Sequence, residues 1–137
     1  MDARDSQEMS YKLDVVDCFV LKYNGLPQDQ KRLIQVFIAH YRNQGLDGWI
    51  GKVAKSDNVP ENDPERAMKI WRAKRYDMWH AHVGYPEWTD GQNQWVQYKT
   101  SDWVVHFQKM NDRHIALLDY DHHNPMSLPT TSMLFRR

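Results

Sequence analysis

Apolar residues recur along this chain with two different periods. Over residues 28–43, Leu33, Ile34, Phe37, Ile38 and Tyr41 fall at spacings of three and four, one continuous stripe on a helix. Pro27 suits the first turn of that helix and Gly45 its termination. Ahead of it, residues 13–22 (LDVVDCFVLK) are rich in β-branched side chains and predict a strand, closed by the Asn24-Gly25 turn signal. Beyond residue 77 the period changes to two. Residues 78–84 (MWHAHVG), 94–100 (QWVQYKT), 103–109 (WVVHFQK) and 114–121 (HIALLDYD) each predict a strand. Asn111-Asp112 marks a hairpin turn, and residues 85–93 a longer connection. Residues 45–64 are rich in Gly, Asn, Asp and Pro and predict a long loop, with GWIGK (48–52) as a tight turn anchored by Trp49. Residues 64–75 (PERAMKIWRAKR) fit either a helical turn or an extended strand. Residues 1–10 have no periodicity and are expected to form a flexible arm. Pro125 and Pro129 break the tail, whose Met133, Leu134 and Phe135 are expected to pack on the body. The expectation is a single α+β domain over residues 1–137, an N-terminal strand and helix on an antiparallel sheet of about four strands.

Composition narrows the classes. A chain of 137 residues with 41% hydrophobic and 12% aromatic side chains can offset its ordering entropy, which excludes disorder. Eighteen Lys and Arg balance eighteen Asp and Glu, so a polyanion would need a local basic patch rather than a global field. The single cysteine, Cys18, forms no internal disulfide, and its apolar neighbours suggest a buried, inert thiol. No apolar run approaches membrane-spanning length and the first ten residues lack a signal-peptide core, so no membrane role and a cytoplasmic location are expected.

Side chains alternate across a strand. In MWHAHVG, Trp79, Ala81 and Val83 therefore share one face, and His80 and His82 the other. In WVVHFQK, Trp103, Val105 and Phe107 form the apolar face, while His106 points away with Val104 and Gln108. The apolar faces should meet the helix, leaving the histidines on an uncovered surface. Solvated imidazoles on an open sheet are common, yet two titratable rings side by side serve no packing purpose. Just ahead of this strand Arg66, Lys69, Arg72, Lys74 and Arg75 follow one another without a carboxylate after Glu65. Such a run is usually a solvated face; leading into the histidines, it suggests a phosphate groove that Lys99 and Arg113 would extend. Tyr76, Tyr85, Trp88 and Trp95 are candidates for stacking on bases. His122 and His123 point to opposite sides of the last strand, so one of them at most joins His80 and His82.

HAHVG (80–84), KTSDWVVHF (99–107) and IALLDYDHH (115–123) resemble the YafO-type toxins of bacterial toxin–antitoxin modules, within the wider RelE-like group of mRNA endonucleases. FIAHYRNQG (37–45) followed by GWIGK matches the helix and Gly-containing connection of that family. The resemblance runs from the helix to the last strand. It implies a helix packed on a curved antiparallel sheet, cleavage of mRNA, often on the ribosome, and inhibition by a cognate antitoxin. The family's functional positions would fall on His80, His82, Asp102 and either His122 or His123. Electrical neutrality and the 88–95 hairpin depart from the family pattern.

RNA carries its own nucleophile, the 2′-hydroxyl, beside the scissile phosphate. A protein then needs a base, an acid and cations for the developing charge, and requires no metal or other cofactor. His80 and His82 are the expected acid/base pair, with Arg75 or Lys99 stabilising charge and Asp102 orienting a ring or loop. Lys69, Arg72, Lys74, Lys99, His106 and Arg113 are the expected RNA-binding residues. Two rivals remain. His80-x-His82 with Glu87 and His106 would form a cupin-like metal set, although the glycine ahead of it and the partner motif are missing. Exposed Trp and Tyr side chains would instead suit a non-catalytic interaction module.

Overall fold

The computed structural model describes residues 10–91, 98–123 and 127–135. Strand β1 (Lys12–Val15) leads directly into helix α1 (Asp17–Asn24), and a short turn joins it to α2 (Gln28–Gln44). Then come β2 (Val53–Lys55), α3 (Arg66–Arg75), β3 (Met78–His82), β4 (Trp103–Asn111) and β5 (His114–His122). A single 3-10 turn (Thr131–Met133) follows. The fold is α+β, with three helices and a five-stranded mixed sheet among the described residues, in the order β1-β5-β4-β3-β2.

Strands β3 to β5 pair antiparallel, as expected over residues 78–121, and β2, not expected from the sequence, adds antiparallel to β3. The N-terminal strand corrects the expectation of a wholly antiparallel sheet. It joins at the edge and runs parallel to β5, with Leu13 opposite Ile115 and Val15 opposite Leu117. It is also shorter than expected, because residues 17–24 are helical. Val16, Phe19 and Tyr23 repeat at spacings of three and four and turn toward the core, a helical period hidden among β-branched residues. Cys18 consequently lies exposed, not buried, with its thiol 3.7 Å from the Leu118 carbonyl oxygen. Lys22 on the same helix reaches back to Asp119 at 2.8 Å and to the Tyr120 carbonyl at 2.9 Å.

Helix α2 follows its apolar stripe. Ile34, Phe37 and Tyr41 are buried against Ala81, Val83, Val105, Phe107, Ile115 and Leu117. Complete burial of side chains of this size is worth about 1.5–3 kcal/mol each. Gly45 ends the helix at φ +68°, its N–H donating to the Tyr41 carbonyl, and a Cβ there would lie 2.5 Å from the Tyr11 ring. The loop expected over 45–64 contains β2, and the undecided segment after Pro64 is helix α3. The strand expected over 94–100 falls largely outside the described residues; at its described end Lys99 bridges Gly51 and Thr100 bridges Thr89.

The reverse face of the sheet is also covered, which the sequence did not suggest. Ala73 of α3, Met78 of β3 and Leu128 of the tail form a second apolar cluster, with Tyr76 and Leu134 packed against it. The Phe135 N–H donates to the Gln108 side-chain oxygen at 3.2 Å. No described helix is long and apolar enough to cross a membrane.

Candidate functional site

His80 and His82 occupy the face opposite α2, as strand alternation demands, and His106 sits directly across the ladder from His80. They do not project into solvent. His80, His82 and His106 are 4%, 2% and 1% exposed, because α3, the segment after β2 and the tail roof this side of the sheet. The expected open face is therefore a covered one.

His123 joins them through an irregularity in β5. Phe107 pairs with Leu117, yet His106 pairs with Asp119, so the ladder skips Leu118. One extra residue reverses the alternation beyond it. Tyr120 and His122 turn to the α2 side, where His122 packs on Trp103 at 4.1 Å between ring centroids. His123 falls on the other side, its ring 4.8 Å from His82 and 5.1 Å from His80. The choice between the two adjacent histidines is thus made by a bulge. The His123 N–H donates to the Asp102 carbonyl at 2.7 Å, so Asp102 positions this ring through its backbone.

Each buried ring is oriented from behind. His80 Nδ1 lies 2.9 Å from Ser56 Oγ, and His82 Nδ1 lies 2.7 Å from the Ser101 carbonyl oxygen. Trp49 and Gly51 brace the end of β3: the Trp49 indole N–H donates to the His82 carbonyl at 2.9 Å, and a Cβ on Gly51 would lie 2.2 Å from that same oxygen. The Thr-Ser-Asp corner and GWIGK are the sequence elements that fold into this support.

Burial withdraws protons from the site. His80 is pushed down to about 3, first by desolvation and then by His106, His123, His82 and Lys52. His82 is lowered to about 4 by desolvation, against the opposing effect of the Ser101 carbonyl. His106 falls to about 4 through desolvation, with Asp119 and Asp121 acting against it, and His123 is lowered by desolvation and Lys52. With these values His80, His82 and His106 are uncharged at neutral pH. They are poor proton donors and good lone-pair donors.

Two clefts meet at His123. One, of about 440 Å³, is lined by Lys52, His82, Ser101, Asp102, His123 and, at its edge, His122. The other, of about 510 Å³, carries Lys52, Ser56, Lys69, His80, His123 and Leu128. Lys52 lines both, and the sequence reading missed it: nothing in GWIGK beyond a turn signal marks that lysine. The expected cations are scattered. Lys69 reaches the larger cleft but is paired with Asp63 at 2.6 Å. Arg72 points at the Pro129 carbonyl, Lys74 lines a different hollow with Lys55 and Asp57, and exposed Arg75 lies over the Tyr76 ring. Lys99 pairs with Asp90 at 3.4 Å. Arg113 stacks over Tyr11 at the hairpin end of β5, the length of that strand away from His123, and His106 lines neither cleft. The helix carrying the basic run turns its cations outward around a single buried residue, Ala73, which disperses them.

No family model, curated protein or solved structure matches the chain. The site stands on its geometry: three histidines with one ring nitrogen each within 4.8 Å of the others. Glu87 and His106, partners in a cupin-like set, are not members of that group.

Proposed function

We propose that this chain is an endoribonuclease of the toxin class, cutting mRNA at the junction of the two clefts and restrained in the cell by a cognate antitoxin. The observation that carries the reading is the convergence of His80, His82 and His123 with Lys52 at that junction. The resemblance of HAHVG, KTSDWVVHF and IALLDYDHH to YafO-type toxins supports it, because those three segments supply all three histidines and the Ser101–Asp102 corner. So does the packing of α1 and α2 on one face of a sheet whose β2 to β5 run antiparallel, the arrangement that the resemblance implies.

Cleavage by the 2′-hydroxyl suits a site of this kind. An uncharged imidazole accepts the hydroxyl proton as the oxygen attacks phosphorus, and the Lys52 ammonium faces the charge that gathers on the phosphoryl oxygens. The lowered values of His80 and His82 favour the base role for this pair.

Purified protein incubated with RNA, with and without ribosomes, tests the reading. Products ending in a 2′,3′-cyclic phosphate or its 3′-phosphate are expected. Products with 5′-phosphate ends would exclude the 2′-hydroxyl route, and intact RNA under both conditions would remove the function. Expression in a bacterium should arrest growth, with relief by His123→Ala.

A further inference from the structure

The three imidazoles that converge on the clefts present more lone pairs than the protein satisfies. His82 Nε2 is buried and has no hydrogen-bond partner among the described residues. Its Nδ1 lies 2.7 Å from the Ser101 carbonyl oxygen and 3.0 Å from the Ser101 N–H, the shorter contact to the carbonyl favouring the proton on Nδ1, and the Nδ1 of His80 meets Ser56, a hydroxyl that is itself fully buried. With Nδ1 engaged on both rings, Nε2 is the nitrogen each has left to offer. A ring nitrogen anchored by a carbonyl or hydroxyl while the other faces a shared centre is how metal-ligating histidines are oriented.

We propose that His80, His82 and His123 bind one divalent transition-metal ion, for which Zn²⁺ is the reference. Imidazole is the ligand type such ions prefer among neutral side chains, and three histidines with a free fourth position match a catalytic rather than a closed structural site. The fourth position opens toward the clefts, since His82 and His123 line one and His80 and His123 the other. Distances agree with modest closure. Zn–N bonds of about 2.0–2.1 Å in a tetrahedron set ligand nitrogens roughly 3.4 Å apart. From a spacing of at most 4.8 Å, each nitrogen must move inward by no more than roughly 0.8 Å. His123, half-buried on the turn after β5, is free to supply most of that movement. His106 is excluded by position, 6.2 Å from His80 between centroids and outside both clefts.

The inference goes beyond the nuclease reading and changes its chemistry, because a ring whose lone pair ligates the ion cannot also accept the 2′-hydroxyl proton. Burial denies the site an imidazolium, and a bound dication would restore positive charge beside the phosphate. Lys52, lining both clefts, opposes the ion, so the affinity is that of three neutral ligands working against one ammonium.

Chelator-dialysed protein titrated with Co²⁺ and then Zn²⁺ tests the site. Expected are one Co²⁺ per chain, intense visible absorption of a tetrahedral Co²⁺ centre, and its displacement by one Zn²⁺. His123→Ala, whose fold circular dichroism can verify, should weaken binding by at least about tenfold. His82→Asn should do the same, whereas His114→Ala, at the hairpin end of β5 and outside both clefts, should bind as the native chain does. Absence of saturable binding would overturn the inference, as would equal affinity in His123→Ala or equal loss in His114→Ala. Assays with RNA separate the two proposals. A protein that binds the ion but leaves RNA intact upholds the metal site and ends the nuclease reading; one that cuts RNA in chelator and binds no ion does the reverse.

Discussion

His82 Nδ1 lies 2.7 Å from the carbonyl oxygen of Ser101, and that contact ties the orientation of a buried ring to the corner before β4. Ser101 holds the corner with its side chain as well. Its hydroxyl accepts from the Gly84 N–H at 3.0 Å and donates to the Trp103 carbonyl at 2.9 Å. Ser101→Ala leaves the buried Gly84 N–H without that partner, a loss of about 1–3 kcal/mol. Urea denaturation should show the loss, and RNA cleavage should fall with it as the corner that carries the Ser101 carbonyl loosens. An unchanged urea midpoint would mean that the corner is supported elsewhere.

Gly51 is a position where added bulk has nowhere to go. A Cβ there meets the His82 carbonyl at 2.2 Å and the Trp88 ring at 2.7 Å, both in the frame of the site. Gly51→Ala should therefore push β2 and β3 apart, costing about 1–3 kcal/mol in line with other overpacked sites. Gly25→Ala is the matched control, since its nearest neighbour is an ordinary 3.7 Å away. Equal stability of the two variants would contradict the close packing at Gly51.

Acid should unfold this protein earlier than its carboxylates alone would. His80, His82 and His106 have folded-state values lowered from 6.5 to about 3, 4 and 4, chiefly by burial. The unfolded chain binds these protons first. Stability is accordingly complete above the unfolded value and declines as pH falls from about 6.5 toward 4. Urea midpoints of chelator-treated protein should drop steadily across that window, and His106→Leu should flatten the decline. A midpoint constant from pH 7.5 to 4.5 would mean that the rings reach water.

His106 is buried with neither ring nitrogen hydrogen-bonded among the described residues. Its neighbours across the ladder are His80 and Asp119. Replacing a buried ring of unsatisfied nitrogens by an aliphatic chain of similar size removes a desolvation cost of about 1–3 kcal/mol. His106→Leu should raise the melting temperature at neutral pH without abolishing RNA cleavage. A loss of cleavage with the fold intact would give His106 a direct role.

Lys52 separates the two proposals by sign. Lys52→Met removes the ammonium facing the phosphate and should lower RNA cleavage. The same change removes the charge opposing a dication and should strengthen Co²⁺ binding. Calorimetric titration and a cleavage assay on one preparation give both numbers. Movement of both in the same direction would place Lys52 outside the site.

Much of the frame was legible in the sequence because it obeys local rules. The stripe from Leu33 to Tyr41 is a helix wherever it is placed, and its end at Gly45 follows from the left-handed backbone there. Strands β3, β4 and β5 follow from alternation, which also separated His80, His82 and His106 from the apolar face. Where two local signals competed, the reading failed. In residues 17–24 the β-branched composition outweighed a helical spacing of Val16, Phe19 and Tyr23. Dispersal of Arg72, Lys74, Arg75 and Lys99 was illegible for a different reason: a run of charges in sequence becomes a patch in space only if the helix presents them on one side.

By itself the sequence determined which residues share a face, since strand and helix periods are properties of the backbone and survive any packing. Only the tertiary structure decided what each face meets. The roof over the histidines comes from α3 and the tail, contributed by segments on either side of β3 to β5, and it turns open imidazoles into buried, uncharged ones. The bulge that skips Leu118 brings His123, not His122, to the pair, because one residue of slippage reverses alternation for everything beyond it. Lys52 arrives through the close approach that Gly51 allows, a contact between chain segments with no signature in either of them.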